Sequence, residues 1–168
     1  CYSLSPGDAV FVNSVISGTA GTAFPVPSST FVAGVQAVPL PVPLYTAPAS
    51  GDVIAGVPYL DIELTDTVGG VILDPDNVII FVGIGHMRTN QPGVWELADN
   101  QVLPLRGLGT HQVDMVGIGD RLAPGDQVAL LLYGLNDQYV ATGGVNQADP
   151  VIGLVSLEGD IHLPLLGP

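Results

Sequence analysis

The chain reads as an all-β protein, an antiparallel β-sandwich of jelly-roll type with an extended, proline-rich N-terminal arm. Three observations predict this. Short runs of Val, Ile, Leu and Tyr, such as residues 59–64 and 126–133, recur from residue 51 onward. Turn signals separate them: Asp74-Pro75-Asp76-Asn77, Asn90-Gln91-Pro92-Gly93, Ala123-Pro124-Gly125-Asp126 and Glu158-Gly159-Asp160. No stretch keeps the 3.6-residue apolar period of an amphipathic helix. A length of 168 residues suits one domain with a sizeable core.

Residues 1–50 are expected to form an N-terminal arm and residues 51–168 the sandwich. Within the arm, Ala9, Val10, Phe11, Val12, Val15 and Ile16 belong to an apolar run that reads as a strand, followed by the flexible Ser-Gly-Thr-Ala-Gly-Thr segment. Residues 30–35 are a second strand candidate. From Val38 to Pro48 alternate prolines forbid a central strand and favour extended polyproline II, which predicts a linker. In the sandwich, strands are expected at 54–64 (or from 58), 78–85, 101–105, 111–116, 127–135, 151–157 and 160–165. Residues 78–82 and 128–132 are apolar on both faces. Such strands are either covered on both sides or meet another subunit.

Charged residues make up 11% of the chain and hydrophobic ones 47%, against roughly a quarter charged in ordinary soluble domains. The cations are Arg88, Arg106 and Arg121, and the formal net charge is −13. Nucleic acid and anionic membrane surfaces are repelled by such a chain. A sparse charge set without Lys fits an acidic medium, or a secreted structural protein that needs few charges. No apolar run is long enough for a membrane-spanning helix. Cys1 is the single cysteine, which rules out an intramolecular disulfide. The chain starts without Met, as expected after processing or inside a longer protein. Cys1 is then a candidate for a lipid anchor or an intersubunit thiol.

Residues 53–64, with Gly56-Val57-Pro58-Tyr59-Leu60, resemble the G-x-P-x-L strand that opens the C-terminal domain of X-Pro dipeptidyl peptidases and CocE-type serine hydrolases. Residues 78–85 look like that domain's next long strand, and 122–130 are similar to its L-x-P-G-x-x-L-x-L signature. Residues 151–166 match its closing pair of strands, so the likeness spans about two-thirds of the chain. The resemblance implies a galactose-binding-like jelly roll. In those hydrolases the catalytic Ser, Asp and His lie in a separate α/β-hydrolase domain, so none carries over to this chain.

No G-x-S-x-G nucleophile elbow occurs, and His86, His111 and His162 stand apart without metal-ligand spacing. No catalytic residue is therefore assigned, and a non-enzyme is expected. Asp74, Asp76 and Asn77 form the densest oxygen cluster and the candidate calcium site, although Asp, Pro and Asn equally make a plain turn. Asp120, Arg121 and Asp126 are expected to form a surface ion pair. Trp95, with Tyr133 and Tyr139, offers either a sugar platform or a plug for a core or interface. Two functions follow. One is an extracellular or cell-surface subunit that forms a homo-oligomer or filament by donating its N-terminal strand. The other is an accessory domain of a secreted serine hydrolase.

Overall fold

The computed structural model describes residues 21–68, 72–140 and 151–166, with the backbone alone at 139 and 140. Eleven strands follow in chain order. They are β1 (Thr22–Ala33), β2 (Leu40–Thr46), β3 (Asp52–Gly56), β4 (Tyr59–Asp66), β5 (Ile79–Met87), β6 (Glu96–Leu97), β7 (Leu103–Arg106), β8 (Gly109–Asp114), β9 (Ile118–Leu122), β10 (Gln127–Tyr133) and β11 (Gly153–Leu163). One sheet has the order β1-β11-β4-β8. The other runs β2-β10-β5, with β6 and β7 side by side along the far edge of β5. All pairings are antiparallel. The chain crosses repeatedly between the sheets in the two-Greek-key order of a jelly roll. β3 and β9 pair separately, within the β2–β4 and β8–β10 connections.

Strand parity builds the core. Ile80, Val82 and Ile84 face inward from β5, Val128, Leu130 and Leu132 from β10, Leu60, Ile62 and Leu64 from β4, and Val155, Leu157, Ile161 and Leu163 from β11; all belong to one buried cluster. The opposite parity of β5 and β10 (Phe81, Ala129, Leu131, Tyr133) is also buried, because Trp95, Leu97 and Val102 fold back over that outer face. Gly83 makes room for this cover, since a Cβ there would stand 2.4 Å from Leu97 Cδ2. The double-sided apolar pattern is thus met by the chain itself.

Several local expectations change. Residues 40–46 are an edge strand rather than a polyproline linker. Pro41 and Pro43 lie two apart, so both missing donors fall on one edge, the arrangement a sheet tolerates only at its margin. Residues 22–46 are integral to both sheets, so the sheets do not begin at the expected boundary near residue 50. Glu158-Gly159-Asp160 is no turn. β11 runs straight through it, with Gly159 at φ +145° and no space for a Cβ, which would meet Asp61 O at 2.2 Å. The run at residues 9–16, and Cys1, lie outside the described residues.

Candidate functional site

The inward parity of β5 continues past Ile84 to His86 and Arg88, which replace apolar side chains where the sandwich closes. The β9 strand supplies Asp120 between buried Ile118 and Leu122, and the turn into β10 supplies Asp126, fully buried. Arg88 joins them. Its Nη1 donates to Asp126 Oδ2 at 2.8 Å and to the Arg121 carbonyl at 2.7 Å, and its Nη2 donates to Asp120 Oδ1 at 2.9 Å. Asp126 also accepts the backbone N–H groups of Thr89 (3.0 Å) and Ala123 (2.9 Å).

Burial alone would raise the Asp126 carboxyl, but the bonds from Arg88, Thr89 and Ala123 outweigh it and hold the group below the usual carboxylate range. For Arg88, burial acts to lower the pKa, and its bonds to Asp126 and Asp120 outweigh that and raise it. His86 Nδ1 lies 2.6 Å from Asp120 Oδ2, and Nε2 lies 3.5 Å from Glu96 Oε2. Neither nitrogen is aligned for a directed hydrogen bond, and both contacts are ion pairs only when the imidazole is protonated. Tyr45 completes the region. Its hydroxyl is buried without a hydrogen-bond partner among the described residues. Burial, then the charges of Asp52 and Asp120, push its pKa up.

Chemically this is a clamp. It ties β5 to β9 and to the turn before β10, and each guanidinium contact is spent on a carboxylate or carbonyl. His86 has Asp120 at one nitrogen and Glu96 at the other, and among the described residues no nucleophile is bonded to it. An open depression of about 720 Å³ lies over the clamp, with Ser50, Arg88, Thr89, Arg121 and Pro124 in its wall.

The expected ion pair is corrected here. Alternation along β9 sends Arg121 outward and Asp120 inward, so the cation that pairs with Asp120 and Asp126 is Arg88. Nothing near Arg88 in sequence marks that partnership; its parity with Ile80, Val82 and Ile84 is the one available signal.

Asp74, Asp76 and Asn77 sit at a 3-10 turn, residues Pro75–Asn77. Asn77 Nδ2 donates to Asp74 Oδ2 at 2.7 Å, and Arg106 donates to Asn77 Oδ1. The amide oxygen a cation would need is thereby taken by a guanidinium. Among the described residues no group of three or more His, Cys, Asp or Glu side chains is placed to hold a metal ion. His111 Nε2 bonds to the Gly107 carbonyl at 2.9 Å, and His162 lies edge-on to Tyr59. Trp95 is half-buried in the cover over β5 and β10, and Tyr133 is buried beneath it. The side chain of Tyr139 lies outside the described residues.

The sheet edges differ from one another. On one flank β1 packs directly on β2. Both strands carry prolines two residues apart, Pro25 with Pro27 and Pro41 with Pro43, and Phe24 stacks on Tyr45 with centroids 4.9 Å apart. On the other flank β8 has no proline. Beside it Leu103, Leu108 and Val113 are only half-buried, and a small apolar cleft opens among Val82, Ile84, Leu103, Met115 and Ile118.

Among the described residues no helix is long and apolar enough to cross a membrane. Comparison with protein-family models, curated proteins and solved structures returns no match.

Proposed function

We propose that this chain is a non-catalytic structural subunit, extracellular or at a cell surface, that polymerises by donating the strand of residues 9–16 to a neighbouring copy. One observation carries the reading: among the described residues, 22–163 complete both sheets of a jelly roll. The apolar run Ala9-Val10-Phe11-Val12, with Val15 and Ile16, lies outside the described sandwich, and the sequence from Ser17 to Gly21 has the Gly- and Thr-rich composition of a spacer before β1. An uncharged apolar strand on such a tether has the composition that β-strand addition uses. The low charge content and the absence of Lys agree with a packed extracellular assembly.

The alternative is an accessory domain of a secreted serine hydrolase. It is supported by the jelly-roll topology that the resemblance implies.

Light scattering on the intact chain and on a chain lacking residues 1–20 separates the two. The first reading expects ordered oligomers from the intact chain and a folded monomer after the deletion. An intact chain that stays monomeric at high concentration overturns it. Removing residues 1–46 is no test, since β1 and β2 would go with them.

A further inference from the structure

Strand donation needs an acceptor, and the fold narrows where one can be. A neighbouring strand pairs only along an edge whose N–H and C=O groups are free. Alternate prolines remove donors from the first half of β1 (Pro25, Pro27) and from β2 (Pro41, Pro43), and the flank where β1 packs on β2 is closed further by Phe24 stacked on Tyr45. Pro104 interrupts β7. The β8 edge has none of these blocks. Its geometry can be read from one bond: the Met115 N–H donates to the Pro58 carbonyl at 2.8 Å. In the antiparallel register that pairs Leu60 with Val113 and Ile62 with His111, bonding alternates along the ladder. His111 and Val113 therefore face β4, and the backbone groups of Thr110, Gln112 and Asp114 face outward, without a partner among the described residues.

Near the end of this edge an apolar dimple of about 10 Å³, too small to seat a side chain, is bordered by Leu103 of β7 and by Met115 just past the end of β8. A strand laid along β8 would turn alternate side chains toward half-buried Leu103 and Val113. From these observations, and resting on the assembly reading above, we infer that the free edge of β8, flanked by half-buried Leu103 and Val113, is the acceptor for residues 9–16 of a second copy of this chain.

Charge selects that occupant over a β8-to-β8 pairing. The outer face of the β1-β11-β4-β8 sheet sets Asp61 opposite Asp160 and Glu63 opposite Glu158, with Asp114 at its margin. Joining two such faces edge to edge would extend one acidic surface, with Asp114 of each copy at the seam and the paired carboxylates of β4 and β11 behind it. Residues 9–16 carry no charge. Reach selects the second copy. A strand beyond β8 lies four strand spacings from β1, about 19 Å. The chain from Ile16 to Thr22 spans at most ~21 Å when taut, so self-insertion would need a fully stretched tether running beneath three strands.

The test mixes two full-length variants. Gln112→Pro removes an outward N–H and no backbone bond to β4, with the loss of only the exposed side-chain bond from Gln112 Nε2 to Asp61 Oδ2 at 3.1 Å; Phe11→Asp spoils the donor. Each alone should sediment as a monomer with a wild-type thermal transition. A one-to-one mixture should give a species of twice the mass, because the intact donor of the first fits the intact acceptor of the second. Wild-type assembly by Gln112→Pro would overturn the β8 site while leaving strand donation standing. A monomeric wild type would overturn both. Mixed variants that are folded but stay monomeric would overturn the pairing. Should Gln112→Pro not fold, a peptide of residues 8–17 added to the Phe11→Asp chain decides. Amide shifts centred on Thr110, Gln112 and Asp114 support the site, and shifts centred on β1 or β2 overturn it.

Discussion

On one flank of the sandwich two sheet margins meet, proline-marked and sealed by Phe24 on Tyr45. On the other, β8 presents free backbone beside half-buried Leu103 and Val113. The sealed flank is also tied to the charged clamp, since the Ala47 N–H donates to the Asp126 carbonyl at 2.8 Å and Tyr45 lies in the field of Asp120. The difference teaches a division of labour. Side chains on the sealed flank and in the clamp hold the monomer together, whereas those on the open flank contribute little to it and are available to the partner proposed above.

The largest expected effect is in the clamp. Asp126→Ala removes the acceptor for Arg88 and for two backbone N–H groups. Breaking a buried ion pair in this way costs about 3–5 kcal/mol, and urea denaturation should show a loss of that order. A loss under 1 kcal/mol would mean that the clamp does not hold the sandwich end.

The flanks should then separate under matched truncations. Phe24→Ala removes a half-buried stacked ring and is expected to cost ~1–2 kcal/mol. Val113→Ala on the open flank should cost less than ~1 kcal/mol in the monomer. Denaturation of chains lacking residues 1–20 compares the two without assembly. Equal losses would erase the distinction.

Protonation sharpens the same contrast. The Asp126 pKa is depressed on folding, so its stabilisation is present above the unfolded carboxylate range, near 3.9, and is lost as pH falls through the lower folded value. The Tyr45 pKa is raised. Its share is complete below the unfolded value near 10 and is lost as pH rises toward the folded one. Stability measured from pH 9 to 11 should therefore fall, and Tyr45→Phe should make that fall shallower. Tyr133, also raised by burial, accounts for the remaining slope. An unchanged slope would remove Tyr45 from the sealed region.

The smallest effect concerns the exposed turn. Asp76→Ala should change the melting midpoint by no more than a typical surface substitution, within ~0.5 kcal/mol, with or without calcium. A calcium-dependent rise abolished by the substitution would restore a cation site there.

The sequence made the jelly roll legible through period-two alternation and turn residues, because both are local. What it hid was relational. Pro41 and Pro43 exclude a central strand, which is local, but whether they mark a linker or an edge depends on β10, more than eighty residues away in the chain. Gly159 reads as a turn until Asp61 O is seen to occupy the space of its missing Cβ. Arg121 sits beside Asp120 in sequence and on the other side of β9 in space, while Arg88, 32 residues from Asp120, makes the bond. The proposed acceptor edge carries no motif at all, since it is defined by the absence of prolines and, among the described residues, of partners.

Amide hydrogen exchange on the assembled intact chain tests the division between the flanks most directly. Thr110, Gln112 and Asp114 should be protected to the level of His111 and Val113 in the assembly, and should exchange rapidly in the monomeric Phe11→Asp chain, while β1 and β2 stay unchanged. Rapid exchange of those three amides in the assembled chain, or new protection confined to β1 and β2, would contradict the account.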